Sequence, residues 1–425
     1  MKASQLKTKI NGGALNAYAH LYSNTEAQGD RFLSLIDTFI SHFGDNEAKL
    51  LSVPGRSEIS GNHTDHNRGC VLAGAIDRDV IAVASRNGTD KIRFFSVGYP
   101  AGEIELCECD EPGNYEKYTT ASLIAGTVKG FCLGGHEVGG FDIAMTSDVL
   151  PGSGISSSAA FEVMIGNAIN HLFNGGKIDN VEIAKIAQYA ENEYFGKPCG
   201  LMDQMACAVG GFVFIDFEDP KDPTVTPIDF SLSDEGYALC IVNTGGNHAD
   251  LNEDYASVPR EMKDVARELG SNVLRGITEE ELVSRIPSLR ESVGDRAVLR
   301  ALHFIRENNR VLKARDALVE HRLGDFFDAV NKSGASSFKY LQNVYTTVNV
   351  REQGLSLALA LADEYLAGEG ASRVHGGGFA GTVQVFVKRD SLGGLVALMD
   401  SVFGEGSCMC LSVRPVGAMC FDLLD

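Results

Sequence analysis

The densest run of residues suited to chemistry is Pro151-Gly152-Ser153-Gly154-Ile155-Ser156-Ser157-Ser158-Ala159-Ala160. Glycines at 152 and 154 would let an anion come close to the main chain. Ser153, Ser156, Ser157 and Ser158 offer hydroxyl donors and a hard oxygen ligand for Mg2+. A helix starting here would add free N–H groups and the positive end of its dipole, which together make an anion site. The run lacks the Gly-Lys-Ser/Thr ending of a Walker A loop and the three spaced glycines of the dinucleotide fingerprint. The charge of a bound phosphate must then be met by dipoles, metal and other segments. A plain strand-to-helix turn with capping serines would show the same residues.

Other candidates lie apart from this run. Residues 53–69 read as a dense polar loop between apolar segments, richer than a simple connector needs. His63 and His66 lack a third ligand at metal-site spacing. Arg56 by itself reads equally well as a surface ion-pair residue. Glu191, near a helix end, is either a solvated glutamate or a carboxylate offered to a metal. Asp203 sits in Cys199-Gly200-Leu201-Met202-Asp203-Gln204-Met205, and a carboxylate among apolar residues either caps something or is held for chemistry. Arg373-Val374-His375-Gly376-Gly377-Gly378-Phe379-Ala380-Gly381 alone reads as a hairpin connection.

The elements that must position these residues follow from periodicity. Residues 141–147 alternate as a strand with one buried face, and Ala160, Val163, Met164, Ala168 and Leu172 mark the helix after the serine run, its first turn capped by Ser156 to Ser158. Phe32, Leu35, Ile36, Phe39, Ile40 and Phe43 form an amphipathic stripe ending at Gly44. Residues 71–84 are strand-like. Asp179 and Glu182 resemble a capping box for a helix stopped by Gly196 and Pro198. Strands at 212–217 and 238–242 flank a Pro-bearing stretch, 219–227, where the lobe boundary is expected. Residues 300–323 and 356–366 read as helices and 382–387 as a strand.

A chain of 425 residues can form two cores around a cleft. Hydrophobic content of 44% with 22% charged residues is that of a globular protein. A formal charge of −20 argues against nucleic acid or an acidic membrane as partner. The pairs Cys107/Cys109 and Cys408/Cys410 lack zinc-ribbon spacing, and the first residues lack the apolar region of a signal peptide. The expectation is a cytoplasmic protein whose cysteines are reduced core fillers.

Taken together, three segments in this order resemble the motifs of the GHMP small-molecule kinases, and in detail those of its galactokinases. They are Pro54-Gly55-Arg56 with Gly61-Asn62-His63-Thr64-Asp65, the serine run, and residues 375–381. Gly200-Leu201-Met202-Asp203-Gln204 resembles the family's catalytic-aspartate segment. The resemblance implies an α+β fold of two lobes, residues 1–225 carrying the sugar segment and ATP loop and residues 226–425 forming a ferredoxin-like lobe. It also implies transfer of the ATP γ-phosphate to the anomeric hydroxyl of a sugar, with Mg2+. By position, Asp203 is then the catalytic carboxylate and Arg56 its charged partner. Ser157 and Glu191 take the metal-associated positions. Gly152, Ser153, Gly154, Ser156, Ser157 and Ser158 fall on ATP, and Asn62, His63, Asp65 and Tyr255 on sugar hydroxyls.

Asn62 departs from the family, which has an acidic residue there for the hydroxyl on the sugar's sixth carbon. Glu58, Ser60 and His66 are further departures. Galactose is the expected substrate, with galacturonate or arabinose as competing readings, since Asn62 would not repel a uronate. A non-catalytic sugar and ATP sensor is the alternative class, and the intact serine run and Asp203 speak against it. His63 and Asp65 disfavour a non-sugar alcohol. Oligomeric state is left open.

Overall fold

Long apolar runs, interrupted by polar residues that find partners, build two sheets in a computed structural model that describes residues 1–22, 25–149, 154–197, 199–246 and 251–423. The strands are β1 (Lys49–Ser60), β2 (Cys70–Arg86), β3 (Lys91–Ser96), β4 (Gly102–Glu105), β5 (Phe141–Ser147), β6 (Phe212–Asp216), β7 (Thr224–Ile228), β8 (Tyr237–Asn243), β9 (Ala371–His375), β10 (Thr382–Lys388), β11 (Cys408–Leu411) and β12 (Met419–Cys420). Eight of them form one sheet in the order β12-β1-β2-β5-β3-β4, with the β6–β7 hairpin added to the far half of β2. All pairings in it are antiparallel except β3 with β5. The second sheet is antiparallel with order β11-β8-β10-β9. This is the expected mixed α+β architecture.

Helices Thr120–Leu133, Ser157–Phe173, Asn180–Tyr189 and Met202–Val209 supply the large core against the first sheet. The helix Thr25–Phe43 lays Phe32, Leu35, Ile36 and Phe39 on the sheet's other side, as the stripe requires. β5 is therefore covered on both faces over its first five residues, where alternation suggested one buried face. Helices Gly354–Leu366 and Leu392–Phe403 cover the second sheet, and the helix pair Asp295–Val319 and Leu323–Ser336 lies between the sheets.

Residues 53–60 are strand, not loop. β1 runs to Ser60 and is buried from Leu50 onward. Its polar side chains tolerate this because each is paired: Arg56 with Asp203, Glu58 with Arg373, and Ser57 with Gln384. Only residues 61–69 form the turn. The Pro-bearing stretch also contains structure, since residues 224–228 are β7. All ten cysteines are unbridged. Cys70, Cys109, Cys207, Cys240 and Cys408 are buried as core fillers, whereas Cys107, Cys132 and Cys410 are exposed.

The segment from β11 to β12 crosses back to the first sheet. Arg414, 1% exposed, donates through Nη1 to Ser52 Oγ (2.7 Å) and Asp79 Oδ2 (3.0 Å). Asp79 also accepts from Arg31 and Tyr22. Burial would raise the Asp79 pKa, but Arg31 and Arg414 outweigh it and hold the carboxyl below the usual range. The same segment fastens the helix Met202–Val209, because Ala418 N donates to Ala208 O (3.0 Å) and Gly211 N to Arg414 O (2.8 Å). Replacing Arg414 with Ala leaves Asp79 buried with half its positive partners. The expected cost is about 3 kcal/mol, read as a lower urea midpoint at unchanged slope.

Candidate active site

Arg56, on β1, and Asp203, in the first turn of the helix Met202–Val209, form a two-pronged pair. Arg56 Nε donates to Asp203 Oδ1 and Nη2 to Oδ2, both at 2.7 Å. The third prong, Nη1, donates to Gly154 O at 2.6 Å. Arg56 N donates to Ile155 O at 3.1 Å, so the descending serine run is strapped to β1. Burial alone would raise the Asp203 pKa, but Arg56 and Ser156 more than compensate and keep the carboxyl below its ordinary value. Asp203 is ionised at neutral pH.

Ser156 does not cap the helix Ser157–Phe173. It adopts a left-handed conformation (φ 63°) and makes no side-chain cap, and its hydroxyl instead donates to Asp203 Oδ2. A non-glycine residue there costs about 1–3 kcal/mol, which the bond to an ionised carboxylate offsets. His63 (φ 57°) and Phe379 (φ 60°) are left-handed too, so three such residues surround one site. Gly154 (φ 76°) lies where the serine run meets the glycine turn; a Cβ there would stand 3.0 Å from Thr382 Oγ1 and 3.2 Å from His375 Nδ1.

A cavity of about 300 Å3 opens at this meeting point. Arg56, Asp203, Ser157, Lys197, Tyr255 and the turn at 376–378 are among its walls. Tyr255 donates from its hydroxyl to Gly378 O (2.6 Å), and burial pushes its phenol up to about 12. His63 approaches from behind, its Nε2 3.0 Å from Gly377 O. A carbonyl only accepts, so the Nε2 tautomer carries the proton.

The other predicted residues fall close by, with differences. Asn62 is 1% exposed and its amide is engaged by the protein: Nδ2 donates to Glu58 Oε1 (2.9 Å) and Gly376 O (2.7 Å), and Oδ1 accepts from Asn343 (2.6 Å). Asp65 accepts from His66 N (2.9 Å) and lies against Gly200. Glu191, 2% exposed in the π-helical turn Ala190–Phe195, accepts from Ser158 Oγ and Lys197 Nζ, both at 3.2 Å, and from Gln204 Nε2 at 2.7 Å. The serine bonded to Glu191 is thus Ser158, while Ser157 lines the cavity. Asp179 caps its helix as expected (Val181 N to Oδ1, 2.7 Å), but Glu182 turns to His136 (2.7 Å) instead of completing a box. Gly152, Ser153 and Pro198 lie outside the described residues.

Sequence reasoning overlooked Lys197 and Glu162. Lys197 follows a helix end with no local pattern to mark it. Glu162 is fully buried one turn into the serine helix and shares the Gln204 amide with Glu191 (3.2 Å to Glu162). Burial first, and then the Glu191 charge, raise its pKa well above the ordinary value. A carboxylate at an apolar helix position was the available signal.

The arrangement resembles known proteins. Residues 37–86 match the galactokinase galactose-binding signature, and residues 122–211 the GHMP kinases N terminal domain. The galactokinase of Actinobacillus pleuropneumoniae serotype 5b is 31% identical over 354 residues, covering 82% of this chain and 88% of that protein. That of Streptomyces coelicolor is 30% identical over 381 residues, covering 88% and 92%. Among solved structures, Lactococcus lactis galactokinase complexed with galactose superimposes with a TM-score of 0.77 at 23% identity, covering 91% of this chain and 98% of that one. Methanococcus jannaschii mevalonate kinase gives 0.58 at 16%, over 86% and 98%.

Burial, and then His66 beside it, push the His63 imidazole down from 6.5 to about 4. The folded state therefore binds fewer protons than the unfolded chain between those values, and the stability this represents is lost as pH falls through that window. Denaturant midpoints for the wild type should drop more between pH 6.5 and 4 than those of His63→Gln, which keeps a donor and does not titrate.

Proposed function

The chain belongs to the galactokinase family of GHMP kinases, and on that premise we propose that it transfers the γ-phosphoryl group of ATP to the anomeric hydroxyl of galactose, giving galactose 1-phosphate and ADP. The observation that carries this reading is an ionised Asp203, aligned by both prongs of Arg56 at 2.7 Å, at the cavity between the serine run and the glycine turn.

In the proposed reaction the sugar hydroxyl faces Asp203. The hydroxyl O–H bond breaks, an O–P bond forms to the γ-phosphorus, and the bond from that phosphorus to the oxygen left on ADP breaks. The proton goes to the Asp203 carboxylate and from there to solvent. Arg56 makes Asp203 a weak base, so the proton moves late. The carboxylate acts first by holding the hydroxyl in line, which suits a reaction governed by positioning and electrostatics. Arg56 and Lys197 face the same space and oppose the charge of the phosphates. The start of the serine helix, Ser157 and Ser158, presents free N–H groups to those phosphates, with Gly154 and Ser156 beside it; the family resemblance assigns Gly152 and Ser153 to ATP as well.

His63, Asp65 and Tyr255 take sugar hydroxyls in this reading. Asn62 serves from behind the wall, since its amide is already committed to Glu58, Gly376 and Asn343. A uronate directed at Asn62 would meet the Glu58 carboxyl bonded to it, so galactose is favoured over galacturonate.

Ser157 and Glu191, with Ser158 3.2 Å from Glu191, give an all-oxygen donor set that suits Mg2+ and would hold it at the phosphate end. Bound there, Mg2+ neutralises phosphate charge.

ADP release with galactose, galacturonate, arabinose and glucose tests the reading. Galactose should support the fastest turnover, and Asp203→Asn should lower kcat by about 10²–10⁴ with little change in the KM for galactose. Binding of galactose without turnover in the wild type would instead indicate a sensor. Glu191→Gln should raise the Mg2+ concentration needed for half-maximal rate; an unchanged Mg2+ dependence would remove Glu191 from the metal site.

A further inference from the structure

A second concave site lies away from the cavity, between the helices Asp295–Val319 and Leu323–Ser336. Its volume is about 510 Å3. On the first helix Arg306, Arg310 and Lys313 share one face at helical spacing, and on the second Lys332 does so with Lys339 in the turn that follows. Glu279 is the one carboxylate among the described lining residues. A smaller cavity of about 240 Å3 continues it, sharing Arg310, Lys313 and Lys332 and adding Arg322 together with Asp316, Asp325 and Asp328, so the excess of positive charge is confined to the larger cavity. In a chain of formal charge −20, the five cations around the larger cavity are the reverse of the overall field.

Several of these cations have capacity to spare. Arg306 is bound to Glu279 (2.5 Å) and Lys332 to Asp328 (2.6 Å). Among the described residues Lys339 approaches only the Tyr340 ring (5.7 Å), and Lys313 has no carboxylate partner. Arg310 donates its Nε to Glu307 (2.7 Å), while its Nη2 is buried without an acceptor among the described residues. A guanidinium at the base of a groove, flanked by lysines, is the donor set that suits phosphate oxygens.

The groove is wired to the segment that carries His63 and Asp65. Glu307, fully buried, accepts from Arg310 on one oxygen and from Gly61 N (3.0 Å), Ser60 Oγ (3.2 Å) and Ser333 Oγ (2.5 Å) on the other. In parallel, Ser336, which lines the groove, lies 2.9 Å from His303 Nδ1, and His303 Nε2 lies 3.0 Å from Asn62 O.

We propose that this groove binds a small phosphate-bearing metabolite and that its occupation is coupled, through Arg310–Glu307 and Ser336–His303, to residues 60–63. The size of the groove suits a phosphate ester. An extended polyanion is disfavoured because the rest of the surface repels it. The site itself does not depend on the kinase reading; the functional meaning of the coupling rests on it.

The probe is inorganic pyrophosphate without Mg2+, followed by calorimetry and by hydrogen exchange of peptides spanning residues 58–64. The wild type should bind it, the Gly61 amide should exchange more slowly when it is bound, and the double variant Lys313→Glu/Lys339→Glu should weaken binding at least tenfold. Both lysines are exposed and lie outside the catalytic cavity, so the variant should fold, which circular dichroism checks. Equal affinity in wild type and variant would place the pyrophosphate elsewhere and overturn the site. Binding lost in the variant but without any change at residues 58–64 would overturn the coupling. Lysine-dependent cosedimentation with phosphatidylglycerol vesicles, with no pyrophosphate binding, would replace the small anion with a membrane surface. Loss of sugar turnover altogether would fall on the kinase reading and leave the binding result intact.

Discussion

Arg56 reaches three parts of the chain at once: the carboxylate of Asp203 with two prongs, the Gly154 carbonyl with the third, and Ile155 through its backbone. Few side chains could do this, because only a guanidinium is planar, permanently charged and supplied with donors in a fixed fork. The pair also solves an electrostatic problem. Desolvation alone would raise the pKa of this carboxylate, and it stays charged because the compensating charge belongs to a neighbouring β-strand. Position and ionisation of Asp203 therefore depend on the same contact.

The wall facing this pair is held by a second layer of buried polar pairs. Arg373 of β9 donates to Glu58 of β1 at 2.9 Å, and Gln384 of β10 donates to Ser57 at 2.6 Å. These bonds join one sheet to the other through the two strands that flank the glycine turn at 376–381. The turn is thus a flexible sequence on a rigid base, which is the condition for backbone carbonyls such as Gly377 O and Gly378 O to have fixed positions. Left-handed residues at His63, Ser156 and Phe379 show where the surroundings overrule local preference.

What could be read in the sequence was what is local. The serine run, its following helix, the stripe of the helix Thr25–Phe43 and the glycine turn all carry period or composition within a dozen residues, and all were legible. Arg56 and Asp203 stand 147 positions apart, and nothing in either neighbourhood announces the other; only the resemblance of their motifs linked them. Residues 53–60 differ from their expected loop for the same reason. Polar side chains whose partners come from distant segments look like a loop until those partners are known. Capping is the local use of a serine, which is what the sequence around Ser156 suggests, whereas its hydroxyl serves Asp203 across the fold. Lys313 and Lys339 would pass for a solvated helix face, and it is the packing of two helices that makes them line one groove.

The return of residues 412–423 to the first sheet bears on how the protein comes into being. Arg414 and Ser52, 362 positions apart, meet in a fully buried cluster, and Phe421 and Leu423 close the small core under the helix Thr25–Phe43. At synthesis rates of roughly 5–20 residues per second, β1 and Asp79 leave the ribosome well before the strand and the arginine that complete them. During that interval the edge of β1 is open and Asp79 has only its local partners. The nascent chain thus carries an incomplete first sheet with an exposed edge, the form in which a chain is most exposed to mispairing and to chaperone capture.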